Sequence, residues 1–318
     1  MPEPVVAVES VTKRYGNLTA VRDLSLTVPA GSVYGLLGPN GAGKTTTIRM
    51  IMNIIGPDEG TIHLFGGGGT GREHSARVGY LPEERGLYRK MKVLNLLVFL
   101  AETKGMGRHA AKQEAQAWLQ RLGLDGWALK RVDSLSKGMQ QKVQFISTIL
   151  HRPKLVILDE PFAGLDPVNS QVLKDTVLQL ARDGTTILFS THIMEQAEKL
   201  CDSVCIIARG EKVLDGTLSE VKRTRGGRNV VVAVERGVAS LDSVLRDRSL
   251  VAKADNYGQY AEVELAEGAD AQRLLQAVLG TGARLVRFEI TEPSLNKIFI
   301  DAVGPEGARA ATEGAVDA

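Results

Sequence analysis

The segment Gly38-Pro39-Asn40-Gly41-Ala42-Gly43-Lys44-Thr45, followed by Thr46, sets glycines, a lysine and hydroxyls in the pattern G-x-x-x-x-G-K-[ST] of a phosphate-binding loop. Each residue type has a chemical reason. Glycines let backbone N–H groups close around phosphate oxygens, Lys44 reaches the β and γ oxygens of a nucleoside triphosphate, and the Thr45 hydroxyl is a ligand for Mg²⁺. A second chemical element is Asp159-Glu160, two carboxylates at the end of the apolar run Leu155-Val156-Ile157-Leu158. A strand ending there, beside the phosphate loop, aims Asp159 at Mg²⁺ and lets Glu160 orient and polarise an attacking water. The run Gly66-Gly67-Gly68-Gly69-Thr70-Gly71 is also glycine-rich. It has no lysine at the matching place and no strand-to-helix transition, so it reads as a flexible connection.

Those residues need a scaffold that brings strand ends together. Strand-like runs at Val33 to Leu37, Leu155 to Leu158, Thr186 to Phe189 and Val204 to Ala208 alternate with helix-like stretches, the pattern of an α/β nucleotide-binding core built on a parallel sheet. From Lys92 to Leu122, apolar Leu94, Leu97, Val98, Trp118, Leu119 and Leu122 fall three and four apart, which predicts an inserted helical subdomain, bounded at about 85–152. The basic, glycine-containing turn Thr224-Arg225-Gly226-Gly227-Arg228 marks a linker, so the first domain is expected over residues 1–223 and a second over 224–303. The second reads strand (Asn229 to Glu235), helix (Leu241 to Leu245), strand (Val251 to Ala254), strand (Gln259 to Leu265), helix (Ala271 to Leu279), strand (Ala283 to Glu289). That order predicts a small α+β unit with the split βαβ of a ferredoxin-like fold. A last helix carries Leu295, Ile298 and Phe299 on one face, and residues 304–318 read as a frayed, flexible tail.

Composition sets bounds on partners. At 318 residues, with 43% apolar and 24% charged residues, the chain is expected to fold as about two domains. Its 39 basic and 37 acidic residues leave a net charge of +2, too small to imply attraction to nucleic acid or anionic lipid. The longest uncharged stretch, Leu24 to Gly43, holds Pro29, Asn40 and many small polar residues, and Val93 to Ala101 is about half the length of a membrane span, so no spanning helix is expected. Met1 to Val11 lacks the basic start and apolar run of a secretory signal, which points to the cytosol. The two cysteines, Cys201 and Cys205, make neither a disulfide framework nor a metal site and are expected to be buried thiols.

Further motifs carry a family resemblance. Leu135-Ser136-Lys137-Gly138-Met139-Gln140, shortly before Asp159, resembles the signature usually written LSGGQ; Gly164-Leu165-Asp166 resembles a D-loop; His192, after the apolar run Ile187 to Phe189, resembles a switch histidine. With the phosphate loop and the carboxylate pair, these make Val5 to about Leu218 similar to the ATPase subunits of ABC transporters, with the motifs in the family's order. The resemblance implies ATP and Mg²⁺ as cofactors, Lys44, Glu160 and His192 as catalytic residues, and Tyr15, in Lys13-Arg14-Tyr15-Gly16, as the aromatic that stacks on adenine. It also implies a second ATPase subunit packed head to tail. Each nucleotide then lies between one chain's phosphate loop and the other's Ser136, Gly138 and Asp166; Ser136 can cap a helix whose positive end faces the γ-phosphate. Tyr80-Leu81-Pro82-Glu83 stands where the family has a glutamine loop touching Mg²⁺ and the transmembrane partner, so Glu83 joins Thr45 and Asp159 as an expected metal ligand. Lys137 and Met139 replace a glycine and the glutamine of the signature.

Glu292-Pro293-Ser294-Leu295-Asn296-Lys297-Ile298-Phe299 is similar to the segment ending many exporter ATPase subunits, which implies export through a separately encoded permease, with the chain peripheral on the inner face of the cell membrane. A soluble member of the family acting on the ribosome or DNA is the alternative. Such chains usually carry two nucleotide domains or a long coiled-coil insertion, and this sequence has neither. For the C-terminal domain, a regulatory ligand-binding role and a dimer-stabilising role both stay open.

Overall fold

The computed structural model describes residues 3–67, 73–84, 86–225, 229–235 and 238–313. Most of the glycine run at 66–71, residues 226–228 of the expected linker and residues 314–318 of the tail lie outside the described residues. The chain divides into two compact units, one running to Leu218 and resuming at Ala302, the other Ser219–Asp301.

The first unit runs β1 (Val6–Tyr15), β2 (Leu18–Val28), β3 (Val33–Leu37), α1 (Lys44–Ile51), β4 (Glu59–Leu64), β5 (Val78–Leu81), α2 (Val93–Thr103), α3 (Arg108–Arg121), α4 (Lys137–Ile149), β6 (Leu155–Asp159), α5 (Pro167–Arg182), β7 (Thr186–Thr191), α6 (Met194–Leu200), β8 (Ser203–Ala208) and β9 (Glu211–Thr217). Its main sheet has the order β5-β6-β7-β3-β8-β9, parallel except for β9, which pairs antiparallel to β8. Every residue of β3, β6, β7 and β8 is buried, because other elements cover both faces of the parallel sheet and leave no solvent face to alternate with. A smaller antiparallel sheet, β2-β1-β4, packs its Val6, Val8, Leu24 and Leu26 into the same core as Leu36 and Ile157. The four apolar strands are legible in the sequence; β1, β2 and β4 are not, because their pairing is interrupted by register shifts that break the period-two pattern.

The helical insertion contains three α-helices. The stretch 92–122 is broken between α2 and α3 at Gly105, whose φ of 90° ends the first helix. Val93, Leu94, Leu96, Leu97 and Val98 of α2 are buried, as are Ala111, Ala115 and Leu119 of α3. Ser136 caps α4, its hydroxyl accepting from the Met139 N–H at 3.3 Å. Two buried glutamines of α4 hold neighbouring loops by their carbonyls: Gln141 donates to Pro161 O at 3.2 Å, and Gln144 to Glu84 O at 3.2 Å.

Beginning with α7 (Leu218–Arg225), the second unit contains β10 (Asn229–Val234), α8 (Asp242–Leu245), β11 (Val251–Asn256), β12 (Tyr260–Leu265), α9 (Ala271–Gly280) and β13 (Leu285–Thr291). Its sheet has the order β11-β12-β10-β13 with every neighbouring pair antiparallel. That is the ferredoxin-like arrangement the element order predicts. Val230, Val232, Ala261 and Val263 line one face of this sheet in a core shared with Leu274 and Val278 of α9. Asp270 caps α9 by accepting from the Arg273 N–H at 2.8 Å. The last helix, α10 (Leu295–Glu313), buries Leu295, Ile298 and Phe299 as expected. At Gly304 the backbone leaves the helix (φ 79°, ψ 160°), and helical structure resumes to Glu313.

Candidate nucleotide-binding site

Strands β6, β7 and β3 lie side by side, so their carboxyl ends form one edge. Leu37 pairs with Thr191 and Asp159 with Ser190. The phosphate loop, the Asp159-Glu160 pair and His192 are therefore neighbours although far apart in sequence. A crevice at the carboxyl ends of parallel strands is where open α/β sheets bind ligands.

The loop between β3 and α1 is shaped by two glycines with close backbone neighbours. A Cβ on Gly38 would lie 2.1 Å from Ile207 O, and one on Gly43, which starts α1 at φ 104°, would lie 2.5 Å from Ala20 O. Neither position accepts a side chain. Lys44, only 6% exposed, folds back over the loop and donates to Gly38 O at 2.8 Å and Pro39 O at 3.0 Å. Its Nζ lies 3.8 Å from Glu160 Oε1. Burial lowers the lysine's pKa, and the charges of Glu160, Asp159 and Glu83 oppose that shift. A cation held this way, beside the free N–H groups that open α1, suits a polyphosphate.

Asp159 is fully buried. Its Oδ1 accepts from the Ser190 hydroxyl, while Oδ2 is buried with no hydrogen-bond partner. Burial raises its pKa, and the Ser190 and Thr45 hydroxyls counter the rise. A buried, unpaired carboxylate oxygen beside a threonine hydroxyl is the donor set a hard cation seeks. Glu83 faces the same charges: partial burial, then Asp159 and Glu160, push its carboxyl up. Among the described residues no group of three or more His, Cys, Asp or Glu side chains can hold a metal by itself. The residues present therefore fit Mg²⁺ bound jointly with phosphate oxygens, the usual mode for this ion.

Glu160 sits just past β6 with φ 47°, an unfavourable backbone conformation for a residue with a side chain. That turn aims its carboxylate back across the strand ends. Oε1 accepts from the His192 N–H at 3.1 Å and lies 2.8 Å from His192 Nδ1, and Oε2 accepts from the Thr191 hydroxyl at 3.3 Å. Three groups from one strand end thus fix the orientation of one carboxylate.

These side chains border a cleft of about 730 Å³ lined by Tyr15, residues 40–46, Glu83, Glu160 and His192. The volume is that of a drug-sized or nucleotide ligand. The chain matches the profile of the ABC transporter family over residues 21–163, and that of an ATP-binding protein DrrA1-3-like C-terminal domain over 216–303. It is 43% identical over 300 residues to the uncharacterized ABC transporter ATP-binding protein YhaQ of Bacillus subtilis (strain 168), covering 94% of this chain and 99% of that one. The chain belongs to the ABC transporter ATP-binding proteins. It is also 38% identical over 218 residues to the Nod factor export ATP-binding protein I of Burkholderia lata, covering 68% of this chain and 72% of the relative. A solved structure of the ATP-binding subunit of an ABC transporter superposes with a TM-score of 0.64 at 30% identity, over 69% of this chain and 92% of that one.

Within this ABC ATP-binding subunit, most of the residues expected to act on the nucleotide line the cleft; Gly38, Pro39 and Asp159 do not. Tyr15 is 47% exposed there, with Lys13 Nζ 5.8 Å from its ring centroid. Ser136, Gly138 and Asp166 do not line it. Ser136 and Asp166 each cap a helix instead, Asp166 accepting from the Asn169 N–H at 3.0 Å. Sequence reasoning missed Arg209, which borders the cleft from the β8–β9 turn, and Ser190, which holds Asp159. Ser190 carried a readable signal, a hydroxyl ending an apolar strand two residues before His192; Arg209 carried none beyond its place before Gly210.

Proposed function

We propose that this ATP-binding subunit hydrolyses ATP with Mg²⁺ and drives export through a separately encoded transmembrane permease, working as a head-to-tail pair with a second ATPase subunit at the inner face of the membrane. The observation that carries hydrolysis is the Glu160 carboxylate, held by His192 and Thr191 at hydrogen-bonding distance and 3.8 Å from Lys44.

In this reading Glu160 accepts a proton from water as the water oxygen attacks the γ-phosphorus, the bond to the β-γ bridging oxygen breaks, and ADP and inorganic phosphate leave. Lys44 neutralises charge on the phosphate oxygens. With Nδ1–H donated to Glu160, His192 holds the carboxylate in line and leaves its other ring nitrogen for the γ-phosphate side. Thr45, Asp159 and Glu83 would hold Mg²⁺ together with the nucleotide, and the ion would supply charge neutralisation. Ser136, Gly138 and Asp166 lie away from their own chain's cleft, which supports their serving a second chain's nucleotide.

The permease reading draws on the helical insertion. Tyr88, 57% exposed, meets Phe99, 43% exposed, edge to face at 6.0 Å, and Leu129 is 69% exposed. Large apolar groups left in water mark an interaction surface, and Tyr88 follows Glu83 by five residues. No helix among the described residues is long and apolar enough to cross a membrane. Export follows the relative named for Nod factor export and the C-terminal segment from Glu292.

Glu160→Gln tests both parts. ATP turnover should fall by about 10²–10⁴-fold, the usual contribution of a positioned base, while ATP binding persists and a membrane protein co-purifies with the ATP-bound variant. Turnover within tenfold of the parent would remove Glu160 from the reaction. Recovery of ribosomes in place of a membrane protein would overturn the transport reading.

A further inference from the structure

The edge strand β13 reads Leu285-Val286-Arg287-Phe288-Glu289-Ile290-Thr291, and its outer side pairs with no other strand among the described residues. Val286 and Ile290 on it are 65% and 67% exposed. Arg287 and Glu289, two apart on one face, form an exposed ion pair with each other. Natural sheets usually protect such an edge with charges, proline or a covering element, because its free N–H and C=O groups invite another strand.

The order of residues says which strand. Laid antiparallel against a copy of itself about Phe288, the strand sets Arg287 opposite Glu289 of the second copy and Glu289 opposite its Arg287, while Val286 is the extra residue where β13 bulges against β10. Directly opposed residues share a face in an antiparallel pair, and opposite charges there stabilise it. Two charge pairs thus form around one twofold axis, an isologous contact. The other edge, β11, also carries a Lys253–Asp255 ion pair, but with Ala252, Ala254 and Asn256 around it. It offers nothing large to bury. A partner of unrelated sequence would not require the reversal symmetry that β13 shows.

We infer that β13 is the contact through which two copies of this chain join their C-terminal sheets, edge to edge, into one eight-stranded sheet. The contact uses no residue of the nucleotide cleft and forms without nucleotide. Its failure would leave the ATP reading untouched.

The experiment is self-association of the full chain in EDTA without nucleotide, measured by sedimentation over a concentration series. The parent should dimerise. Arg287→Glu alone and Glu289→Arg alone should each weaken dimerisation by at least tenfold, since like charges then face each other across the axis. Both side chains are more than half exposed, so neither change threatens the fold. A one-to-one mixture of the two variants sets acidic against basic residues at both positions and should regain at least tenfold in affinity. That recovery cannot come from an effect inside one chain. A monomeric parent, singles that associate like the parent, or a mixture no tighter than its components would each overturn the inference.

Discussion

Replacing Asp159 by Asn should make the nucleotide-free protein more stable while weakening its hold on Mg²⁺-ATP. Asp159 is fully buried, and one of its carboxylate oxygens has no hydrogen-bond partner. Burial, the largest influence, raises its pKa above the ordinary carboxylate value, so its ionised form is less favourable folded than unfolded. Stability therefore falls as pH rises from the ordinary carboxylate range through the raised value, and the penalty is fully present above it. The amide leaves a polar group in the same place but removes the buried charge, and relieving the desolvation of that charge is worth about 1–3 kcal/mol. For a unit of roughly 200 residues that corresponds to a Tm about 2–10 °C higher in the variant at neutral pH. The amide still offers Ser190 an oxygen. In the parent, Mg²⁺-ATP at about a hundred times its Kd adds about 2.7 kcal/mol. A loss of at least tenfold in affinity would trim that by about 1.4 kcal/mol or more. Both tryptophans, Trp118 and Trp127, lie in the unit that holds the site, so their fluorescence on heating follows the relevant transition. An apo variant that melts below the parent, with an undiminished rise on adding Mg²⁺-ATP, would refute the reasoning.

Gly38→Ala places a methyl 2.1 Å from Ile207 O and should abolish measurable ATP binding by titration calorimetry, with a loss of about 1–3 kcal/mol in stability from overpacking. His151 is held neutral, its pKa lowered to about 4 mainly by burial. Stability should consequently be lost as pH falls from about 6.5 to about 4, and His151→Gln should flatten that part of a Tm-against-pH profile. Leu274→Ala in the fully buried C-terminal core should cost about 2–5 kcal/mol there. Hydrogen exchange should show loss of protection in β10 and β12, with Kd for ATP at the first unit within twofold of the parent.

Legibility differed between elements for physical reasons. The strands of the parallel sheet are short, continuous apolar runs because both faces are covered, and at or beyond the ends of three of them come polar residues that a reader can pick out: Lys44 and Thr45 beyond the glycine loop, Asp159 and Glu160, His192. The ferredoxin-like order also survives in sequence, since its strands and helices are separated by turns. The β1–β2–β4 sheet does not, because register shifts scramble its alternation. The helical subdomain read at 92–122 contains two helices, and the spacing of apolar residues does not show the glycine turn between them.

By itself the amino-acid sequence determined which residue types are candidates for a phosphate site, because phosphate chemistry demands a particular local loop and carboxylates at a strand end. Tertiary structure alone decided how they are held. Strand order in space set β7 between β6 and β3, which put Ser190 against Asp159 and His192 against Glu160. Strand order likewise left β13 on an outer edge and made the symmetry of its sequence available to a partner. Neighbourhood between strands is fixed by long-range packing and hydrogen bonding, and no local run of residues carries that information.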